Sequence, residues 1–282
     1  MQLLTWNVQW CRGIDGRVDP ARIGAEIRRL ADPDVVCLQE VAVNFPELPG
    51  SRGEDQAHAL ADALPGYEVC LVSGVDVPGH NKNAPGRRAR FGNLLLSRLP
   101  VERILRHSLP WPPAPDVPSM PRVAVEAVVA APFGPLRVLT THLEYYSHEH
   151  RAAQVGRLRA LHAEACGPQH SNGEPGPFRS LPRPAAAIFC GDFNLPPDDP
   201  LHAVMTSPIA PGVPAFADAW EALHGDEAHP PTFRLHERDV NETPYCCDYV
   251  FVSEDLLPRL ASIRIDPATQ AADHQPVIVE LR

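Results

Sequence analysis

Polar side chains of a few types stand where the apolar runs of this sequence end. Carboxylates, carboxamides and imidazoles recur at these places, and loops begin directly after them. The residues are Asn7, Glu40, His142, Asp192, Asn194, Asp273 and His274. Oxygen ligands of this kind suit a hard divalent cation, and such a cation with imidazole and amide donors nearby suits the hydrolysis of a phosphate ester. Because these residues lie far apart in the sequence and each follows an apolar run, they predict one site assembled from the ends of many strands.

Taken singly, each of these residues has a simpler explanation. Asp192 and Asn194 follow Gly191 at alternate positions, so in an extended segment both side chains project to the same side. Gly, Asp and Asn also favour turns, and for an isolated Gly-Asp-x-Asn a turn is favoured roughly two to one. Glu40 ends an apolar run, where a charged residue either reaches water or meets a cation. Asp273 is explained equally well as a surface charge.

Length and composition favour one globular unit. With 282 residues and a hydrophobic fraction of 44%, the chain can bury a sizeable core, and we expect residues 1–282 to form a single domain. The formal charge of −10 argues against tight, nonspecific wrapping of nucleic acid, although it does not exclude a nuclease. No segment approaches 18 uninterrupted apolar residues, so we expect a soluble protein without membrane association.

The cysteines favour a reducing compartment. There are seven, an odd number, and most lie inside apolar runs such as Val35-Val36-Cys37-Leu38. The sequence opens with Met1-Gln2-Leu3 and lacks the basic and apolar regions of a signal peptide. We therefore expect a cytoplasmic protein, and a monomer.

The elements that must position the polar residues follow from the hydrophobic pattern. The chain begins with a strand, helix, strand, helix and strand, and Asp19-Pro20 provides a cap and a first position for the first helix. Residues 74–91 are rich in Gly, Pro and Asn, which predicts a long loop. Its basic residues are Lys82, Arg87, Arg88 and Arg90. Four strand-like runs follow at 93–97, 101–107, 122–129 and 136–141.

The second half continues the same mixture. A helix is predicted from His148 to Ala165, because apolar residues recur there at spacings of three or four. A Gly- and Pro-rich linker covers 167–184. Further strands are predicted at 185–190, 249–252, 261–265 and 277–281, with short helices near 201–205 and Trp220. Many strands, few helices and short turns predict a mixed, largely antiparallel α/β layered fold.

Seven short motifs occur in order along nearly the whole chain. They are Thr5-Trp6-Asn7, Leu38-Gln39-Glu40, Gly92-Asn93, Thr141-His142-Leu143, Gly191-Asp192-Phe193-Asn194, Cys247-Asp248-Tyr249 and Asp273-His274. In kind and in order, they resemble the motifs of the endonuclease/exonuclease/phosphatase superfamily. The Gly-Asp-Phe-Asn segment resembles the most specific signature of that family.

The resemblance implies an α/β fold, a four-layer α/β sandwich in which two mixed, mostly antiparallel sheets pack face to face with helices outside. It implies that Mg²⁺ or Mn²⁺ is held by Asn7, Glu40 and Asp273. It further implies that Asp192 deprotonates the attacking water and that Asp248 keeps His274 cationic. The implied donors to the phosphate oxygens are Asn194, His142 and His274.

Residues around this set are candidates for contact with a substrate. The candidate substrate-binding residues are Asn93, Arg122 and Arg90. The basic segment 82–90 either grips a polyanion or is a solvated loop, with equal weight. Tyr145 and Tyr146 follow the histidine motif, and there packing is favoured about two to one over stacking on a substrate ring.

The sequence thus predicts a divalent-metal-dependent phosphoester hydrolase of the phosphodiesterase or nuclease type. One alternative is a phosphatase or phospholipid-type phosphodiesterase that acts on a small phosphorylated substrate. Another is a catalytically silent relative that binds a phosphorylated ligand. Abasic-site endonucleases usually have tyrosine where this chain has His142, which disfavours that branch. The acidic net charge disfavours long nucleic acid as the substrate and the basic segment favours it, so the substrate class stays open.

Overall fold

The computed structural model describes residues 1–80, 86–168, 176, 179–236 and 243–282, which form two six-stranded sheets with helices outside them. In chain order the strands are β1 (Gln2–Asn7), β2 (Val35–Val43), β3 (Glu68–Pro78), β4 (Arg88–Ser97), β5 (Val101–Ser108), β6 (Val123–Ala131), β7 (Gly134–His142), β8 (Ala187–Asp192), β9 (Phe216–Asp218), β10 (Asp248–Ser253), β11 (Leu260–Ile265) and β12 (Val277–Leu281). The helices are α1 (Pro20–Leu30), α2 (Gln56–Ala63), α3 (His148–Cys166), α4 (Pro200–Thr206) and α5 (Ala219–His224).

Each sheet contains one parallel pair of strands among antiparallel neighbours. The first sheet has the order β11-β12-β1-β2-β4-β3, and the second has the order β5-β6-β7-β8-β10-β9. Strands β1 and β2 are parallel and are connected through α1, while β7 and β8 are parallel and are connected through α3. A parallel pair needs such a crossover, because the chain must return to the same end of the sheet. Both pairs end in polar motif residues.

The strands that are buried on both faces explain the continuous apolar runs in the sequence. In β2, Cys37 faces the second sheet and joins a core with Val125 and Ile188, whereas Leu38 packs under Ile23 of α1. A separate core lies between α3 and the outer face of the second sheet. Successive side chains of a strand point to opposite faces, so one run supplies two cores. The four-layer arrangement predicted from the sequence is confirmed.

A buried amide links the two sheets within this apolar interior. Gln39 in β2 donates from Nε2 to the hydroxyl of Thr5 at 3.2 Å and to the hydroxyl of Thr140 in the second sheet at 2.8 Å. Buried polar groups must find partners, so this contact favours one register of the sheets over a sliding apolar interface. Gln39 directly precedes Glu40, and the contact therefore fixes the backbone that carries this carboxylate.

Most predicted elements are present with shifted ends, and one prediction is wrong. Asp19 caps α1 by accepting a hydrogen bond from the backbone of Arg22 at 3.1 Å, as the sequence predicted. Where a long loop was expected over 74–91, residues 74–78 and 88–91 instead form the end of β3 and the start of β4, which pair from Val75 opposite Phe91 to Pro78 opposite Arg88. Lys82 lies outside the described residues. Within the described ranges, no helix is both long and apolar enough to span a membrane.

A buried charge cluster lies beneath α3 on the outer face of the second sheet. Glu126 is fully buried, and its carboxylate lies 2.9 Å from His107 Nε2 and 3.5 Å from Arg137 Nη1. Burial alone would raise the pKa of Glu126, but the bond with His107 and the charges of Arg137 and Arg183 lower it to about 2. Arg137 also bonds His162 of α3, and burial together with this charge lowers the pKa of His162 to about 4.

We expect the cluster to make the fold sensitive to acid. His162 stays neutral in the folded chain down to about pH 4, whereas in the unfolded chain it takes up a proton near its ordinary pKa of 6.5. The unfolded state therefore binds more protons, and the free energy of unfolding falls as the pH is lowered from 6.5 to 4, by on the order of 3 kcal/mol at most. Glu126 extends the loss between about pH 4.5 and pH 2. Urea unfolding across this pH range measures the effect.

His162→Gln should flatten the pH dependence between pH 6.5 and 4. His58→Gln is the matched control, because the His58 side chain is 76% exposed. Equal pH dependence in wild type and His162→Gln would contradict the explanation.

Candidate active site

The predicted site residues meet at the edge where both parallel pairs end. Asn7 is the last residue of β1, and Glu40 lies in the neighbouring β2. His142 and Asp192 are the last residues of β7 and β8 and pair with each other in register. Because the carboxyl ends of parallel strands lie at the same edge of a sheet, the two crossovers bring four motifs from distant parts of the sequence together. The expectation of one site built from many strands is met.

Asp192 lies at the centre of this group. Its Oδ2 accepts a hydrogen bond from Asn7 Nδ2 at 2.9 Å, and it lies 3.4 Å from His142 Nε2 and 3.8 Å from His274 Nε2. Its Oδ1 accepts from the backbone of Asn194 at 2.9 Å. The Asp192 residue is only 1% exposed, so its carboxylate is held in one orientation by neighbours rather than by water.

The residue before Asp192 must be glycine. Gly191 has a φ of +131°, and a Cβ built on it would lie 2.0 Å from the carbonyl oxygen of Thr141 in the adjacent β7. A side chain at this position would push β7 and β8 apart next to the site. The Gly-Asp-Phe-Asn motif therefore combines a close backbone approach with the carboxylate that depends on it.

Glu40 is directed into the site by an irregularity of its strand. The pairing of β2 with β4 shifts register between Leu38 and Val41, and Glu40 has a φ of +61° there. Asn7 donates to Glu40 Oε1 at 3.1 Å. Burial, followed by the charge of Asp273, raises the pKa of Glu40 to about 7. Several carboxylates thus face one another in a poorly hydrated space.

A left-handed turn follows β1 and reaches Asp273. Gln9, Trp10 and Cys11 all have positive φ values of +45°, +42° and +60°. Such backbone is strained for residues other than glycine, and strain of this kind concentrates at functional sites. The turn places Gln9 Nε2 at 2.5 Å from Asp273 Oδ2, to which it donates. Gln9 was not among the residues predicted from the sequence, since no simple motif marks this turn.

Asp248 and His274 form the pair implied by the resemblance. His274 Nδ1 donates to Asp248 Oδ2 at 2.8 Å, and the Asp248 side chain is fully buried. Burial alone would lower the pKa of His274, but the charges of Asp248 and Asp192 raise it to about 10. The ring is also stacked on Phe233 with centroids 4.4 Å apart. His274 is therefore an imidazolium at neutral pH, and its Nε2 faces Asp192.

His142 has the opposite electrostatic character. Burial, followed by the charge of Arg122, lowers the pKa of His142 to about 3. The ring lies between Glu40 and Asp192, with Nδ1 at 3.8 Å from Glu40 Oε1. A neutral imidazole still has one N–H to donate. The site thus contains one cationic and one neutral histidine at neutral pH.

The predicted substrate-binding residues differ in where they lie. Arg122 lines the cleft above the site, is 7% exposed, and its Nη1 makes no hydrogen bond to a described residue. Asn93 borders the site, but its amide donates to the backbone of Val123 at 2.9 Å and so ties the two sheets together. Arg90 directly precedes Phe91, which lines the cleft. Successive side chains of a strand point to opposite faces, so the Arg90 side chain points away from the cleft face of β4. The assignment of Arg90 and Asn93 to substrate binding stays a prediction.

The cleft above the site has a volume of about 630 Å³ and a mixed lining. One part is polar and comprises Gln9, Glu40, Arg122, His142, Asp192, Asn194, Arg234, Asp273 and His274. The other is apolar and aromatic, with Phe45, Val75, Phe91, Met120, Tyr145, Tyr146 and Phe233. Tyr145 and Tyr146 are 39% and 63% exposed, and their rings contact each other edge to face with centroids 4.9 Å apart. That these rings serve packing rather than stacking on a substrate ring stays a prediction.

The carboxylates and amide offer the oxygen donors that a hard divalent cation prefers. Glu40 and Asp273 are the candidate ligands that face the cleft. Asn7 turns its amide nitrogen towards Glu40 and Asp192, while its Oδ1 accepts from the backbone of Gln9 at 3.1 Å. In this arrangement Asn7 links two carboxylates, and its role as a ligand stays a prediction. A second possible donor group, with a softer sulfur atom, consists of Asp192, Cys247 and His274.

We expect Asp248→Asn to lower the pKa of His274 from about 10 to near its ordinary value of 6.5 or below. The reason is that burial continues to oppose the charge while its main stabilising carboxylate is lost. NMR titration of the imidazole signals in metal-free protein measures the change, with the His274 signal identified by its absence in His274→Gln.

Asp116→Asn serves as the control, since it removes a carboxylate that is exposed on the surface. A His274 signal that still titrates near pH 10 in Asp248→Asn would show that another group holds the charge.

Comparisons with known proteins agree with this geometry. The chain matches the model of the endonuclease/exonuclease/phosphatase family over residues 4–274. No curated protein matches it significantly. Among solved structures, it is similar to an endonuclease/exonuclease/phosphatase from Beutenbergia cavernae DSM 12333, with 25% identity and a TM-score of 0.69 over all of this chain and 71% of that one.

Two other similar structures share the fold at lower identity. The mannosyl-6-phosphatase Bt3783 of Bacteroides thetaiotaomicron VPI-5482 is 19% identical with a TM-score of 0.64, over all of this chain and 99% of that one. TDP2 of D. rerio, complexed with a single-strand DNA product, is 18% identical with a TM-score of 0.65, over all of this chain and 98% of that one. The family match extends from β1 to the terminal Asp-His pair, so the chain belongs to the endonuclease/exonuclease/phosphatase family, whose members are generally hydrolases of phosphoesters.

Proposed function

We infer that this protein is a divalent-metal-dependent phosphoester hydrolase in which Asp192 activates the attacking water. The observation that carries the proposal is the position of Asp192 Oδ2. It lies 2.9 Å from Asn7 Nδ2, 3.4 Å from His142 Nε2 and 3.8 Å from His274 Nε2, so it is a buried base surrounded by hydrogen-bond donors. A phosphate bound to these donors would lie beside the carboxylate.

The donor set supports a cation at this site. Glu40, Asp192 and Asp273 line the same cleft, and the pKa of Glu40 is raised to about 7 by burial and by the charge of Asp273. A divalent cation relieves both effects, because it replaces lost hydration and neutralises like charges. We propose Glu40 and Asp273 as ligands, with Asn7 beside them, and Mg²⁺ or Mn²⁺ as the ion. When bound, the ion polarises the phosphate and stabilises charge on the leaving oxygen.

The proposed reaction is a single displacement at phosphorus, and residues of this chain carry out its proton transfer. The water oxygen forms a bond to phosphorus, its proton passes to the Asp192 carboxylate, and the bond from phosphorus to the ester oxygen breaks. The leaving oxygen then takes a proton from solvent. Asn7 and the backbone of Asn194 hold Asp192 in orientation for the transfer.

Hydrogen-bond donors of different kinds stabilise the negative charge that develops on the phosphate oxygens. His274 supplies a cationic N–H and His142 a neutral N–H, as their raised and lowered pKa values require. Arg122 adds a guanidinium whose Nη1 makes no hydrogen bond to a described residue. Donors that are already oriented act strongly on a transition state, because little reorganisation is needed. Asn194 fixes the loop by donating to the carbonyl of Leu143 at 2.9 Å.

The substrate proposal follows from the lining of the cleft. Aromatic and apolar side chains line part of the cleft that also holds the carboxylates, which favours a phosphoester of a planar or apolar group over a fully hydrated sugar phosphate. The fold is compatible with both nucleic acid and small phosphate esters, since similar structures include TDP2 with single-strand DNA and a mannosyl-6-phosphatase. A cytoplasmic location is proposed as well, and the free cysteines support it.

We expect Mg²⁺-dependent hydrolysis that EDTA abolishes and that Asp192→Asn lowers by about 10²–10⁴-fold in kcat, because the general base is lost. The assay uses a panel of single-stranded and duplex DNA, RNA, inositol phosphates, sphingomyelin and a chromogenic phosphodiester. Asp116→Asn is the matched control for loss of a carboxylate away from the cleft. Hydrolysis by Asp192→Asn at the wild-type rate would refute the assigned role.

Tyr146 belongs to the aromatic part of the cleft lining. Tyr146→Ala should raise KM by about 5-fold or more for a substrate with a planar ring, because stacking contributes about 1–3 kcal/mol per ring. The value of kcat should change little, since Tyr146 has no part in the proposed proton transfer. Tyr146→Phe keeps the stacking surface and should behave as wild type. If alanine and phenylalanine variants have the same KM, Tyr146 does not contact the substrate.

A further inference from the structure

A second cluster of metal-ligating side chains lies beside β10, outside the active site. His202 comes from α4, Asp218 ends β9 and begins α5, and His229 follows α5. Their side chains are 6%, 2% and 7% exposed. None of them belongs to the motifs that build the active site, and their spacing in the sequence matches no common metal-binding pattern.

The geometry of the cluster is convergent. Nε2 of His202 lies 2.8 Å from Asp218 Oδ2, and Nε2 of His229 lies 2.9 Å from the same oxygen. The other oxygen of Asp218 accepts from the backbone of Trp220 at 2.7 Å and so caps α5. The cap fixes the orientation of the carboxylate, which leaves Oδ2 as the oxygen presented to both imidazoles.

A fourth residue lies at the exposed side of the cluster. Glu221 lies in the first turn of α5, and its Oε1 is 3.9 Å from Nδ1 of His202. Its side chain is 48% exposed, so the cluster has an open side through which an ion can enter. With one ligand atom from each residue, the four atoms all lie within 4.8 Å of one another.

We propose that His202, Asp218, Glu221 and His229 form a second metal site, which binds Zn²⁺. Two imidazole nitrogens and two carboxylate oxygens are a typical four-coordinate donor set for zinc, and imidazole favours zinc over magnesium. The two carboxylates balance the charge of the ion. On binding, the ion replaces the proton on each Nε2. A ring that was neutral regains one proton on Nδ1 by exchange with solvent, and a ring that was protonated on both nitrogens keeps Nδ1–H and releases the other proton to solvent.

The position of the cluster gives the site a structural role. The rings of His202 and His229 lie 5.1 Å and 5.6 Å from the ring of Tyr249 in β10. The hydroxyl of Tyr249 donates to the carbonyl of Leu195 at 3.1 Å, in the loop that carries Asn194. A zinc ion would therefore join α4 and α5 and support the back of the active-site loop, without contact with the substrate.

The test measures zinc binding rather than catalysis, in a background that lacks a proposed active-site ligand. Full-length Glu40→Gln protein, stripped with chelator, should retain one equivalent of zinc after gel filtration and should show a higher Tm with zinc than without it. Adding His229→Gln should abolish both effects. His224→Gln is the matched control, because His224 stacks on Trp220 nearby but is not in the cluster.

Co²⁺ supplies a second readout that does not depend on stability. Its visible d–d absorption should appear with Glu40→Gln and with the His224→Gln control, and should be lost with His229→Gln. If His229→Gln does not fold, Glu221→Gln, on the exposed side of the cluster, should weaken zinc binding at least 10-fold. Folded protein that binds no zinc, or equal zinc binding with and without His229, would show that the cluster is only a hydrogen-bonded network. Either result leaves the hydrolase proposal untouched.

Discussion

The hydrogen bond between Asn7 and Asp192 joins the two sheets at the edge where the residues of the candidate site meet. Asn7 belongs to the first sheet and Asp192 to the second, and neither side chain reaches water to an appreciable extent. A contact of this kind requires the sheets to face each other in one register, which Gln39 enforces from within the core. The other donors and carboxylates are placed relative to this contact, so the packing of the sheets and the geometry of the site are one constraint.

The electrostatics of the site follow from unequal partners in a shared low-polarity space. His274 is buried beside the carboxylate of Asp248 and remains charged, while burial, followed by the charge of Arg122, keeps His142 neutral. Burial, together with the charge of Asp273, raises the pKa of Glu40 to about 7. Groups whose pKa values are driven apart can take different roles at one pH. If these side chains were all exposed to water, residues of the same type would have similar pKa values.

The sequence was informative where local pattern and burial agree. Strands that are buried on both faces appear in the sequence as continuous apolar runs, and the polar residue at the end of such a run marks the edge where the candidate site lies. The layered fold and most residues of the candidate site could therefore be predicted. The extended β3–β4 hairpin could not, because its exposed end is free to carry Gly, Pro and Arg that otherwise mark loops. Gln9 and Phe233 were missed since they enter the site through a strained turn and an isolated bridge. His202 and His229 are brought together only by tertiary packing.

The pairing of β1 with β12 has a consequence for biosynthesis. Gln2 lies opposite Glu280, and Thr5 lies opposite Val277, so the earliest strand lacks one of its neighbours until the last strand has been made. At about 5–20 residues per second, the interval is roughly 15–55 s of translation. Throughout that time β1 presents an unpaired edge and an apolar face, which is a template for association with other chains. The first sheet therefore exposes this edge for longer during synthesis than a sheet built from local strand pairs would.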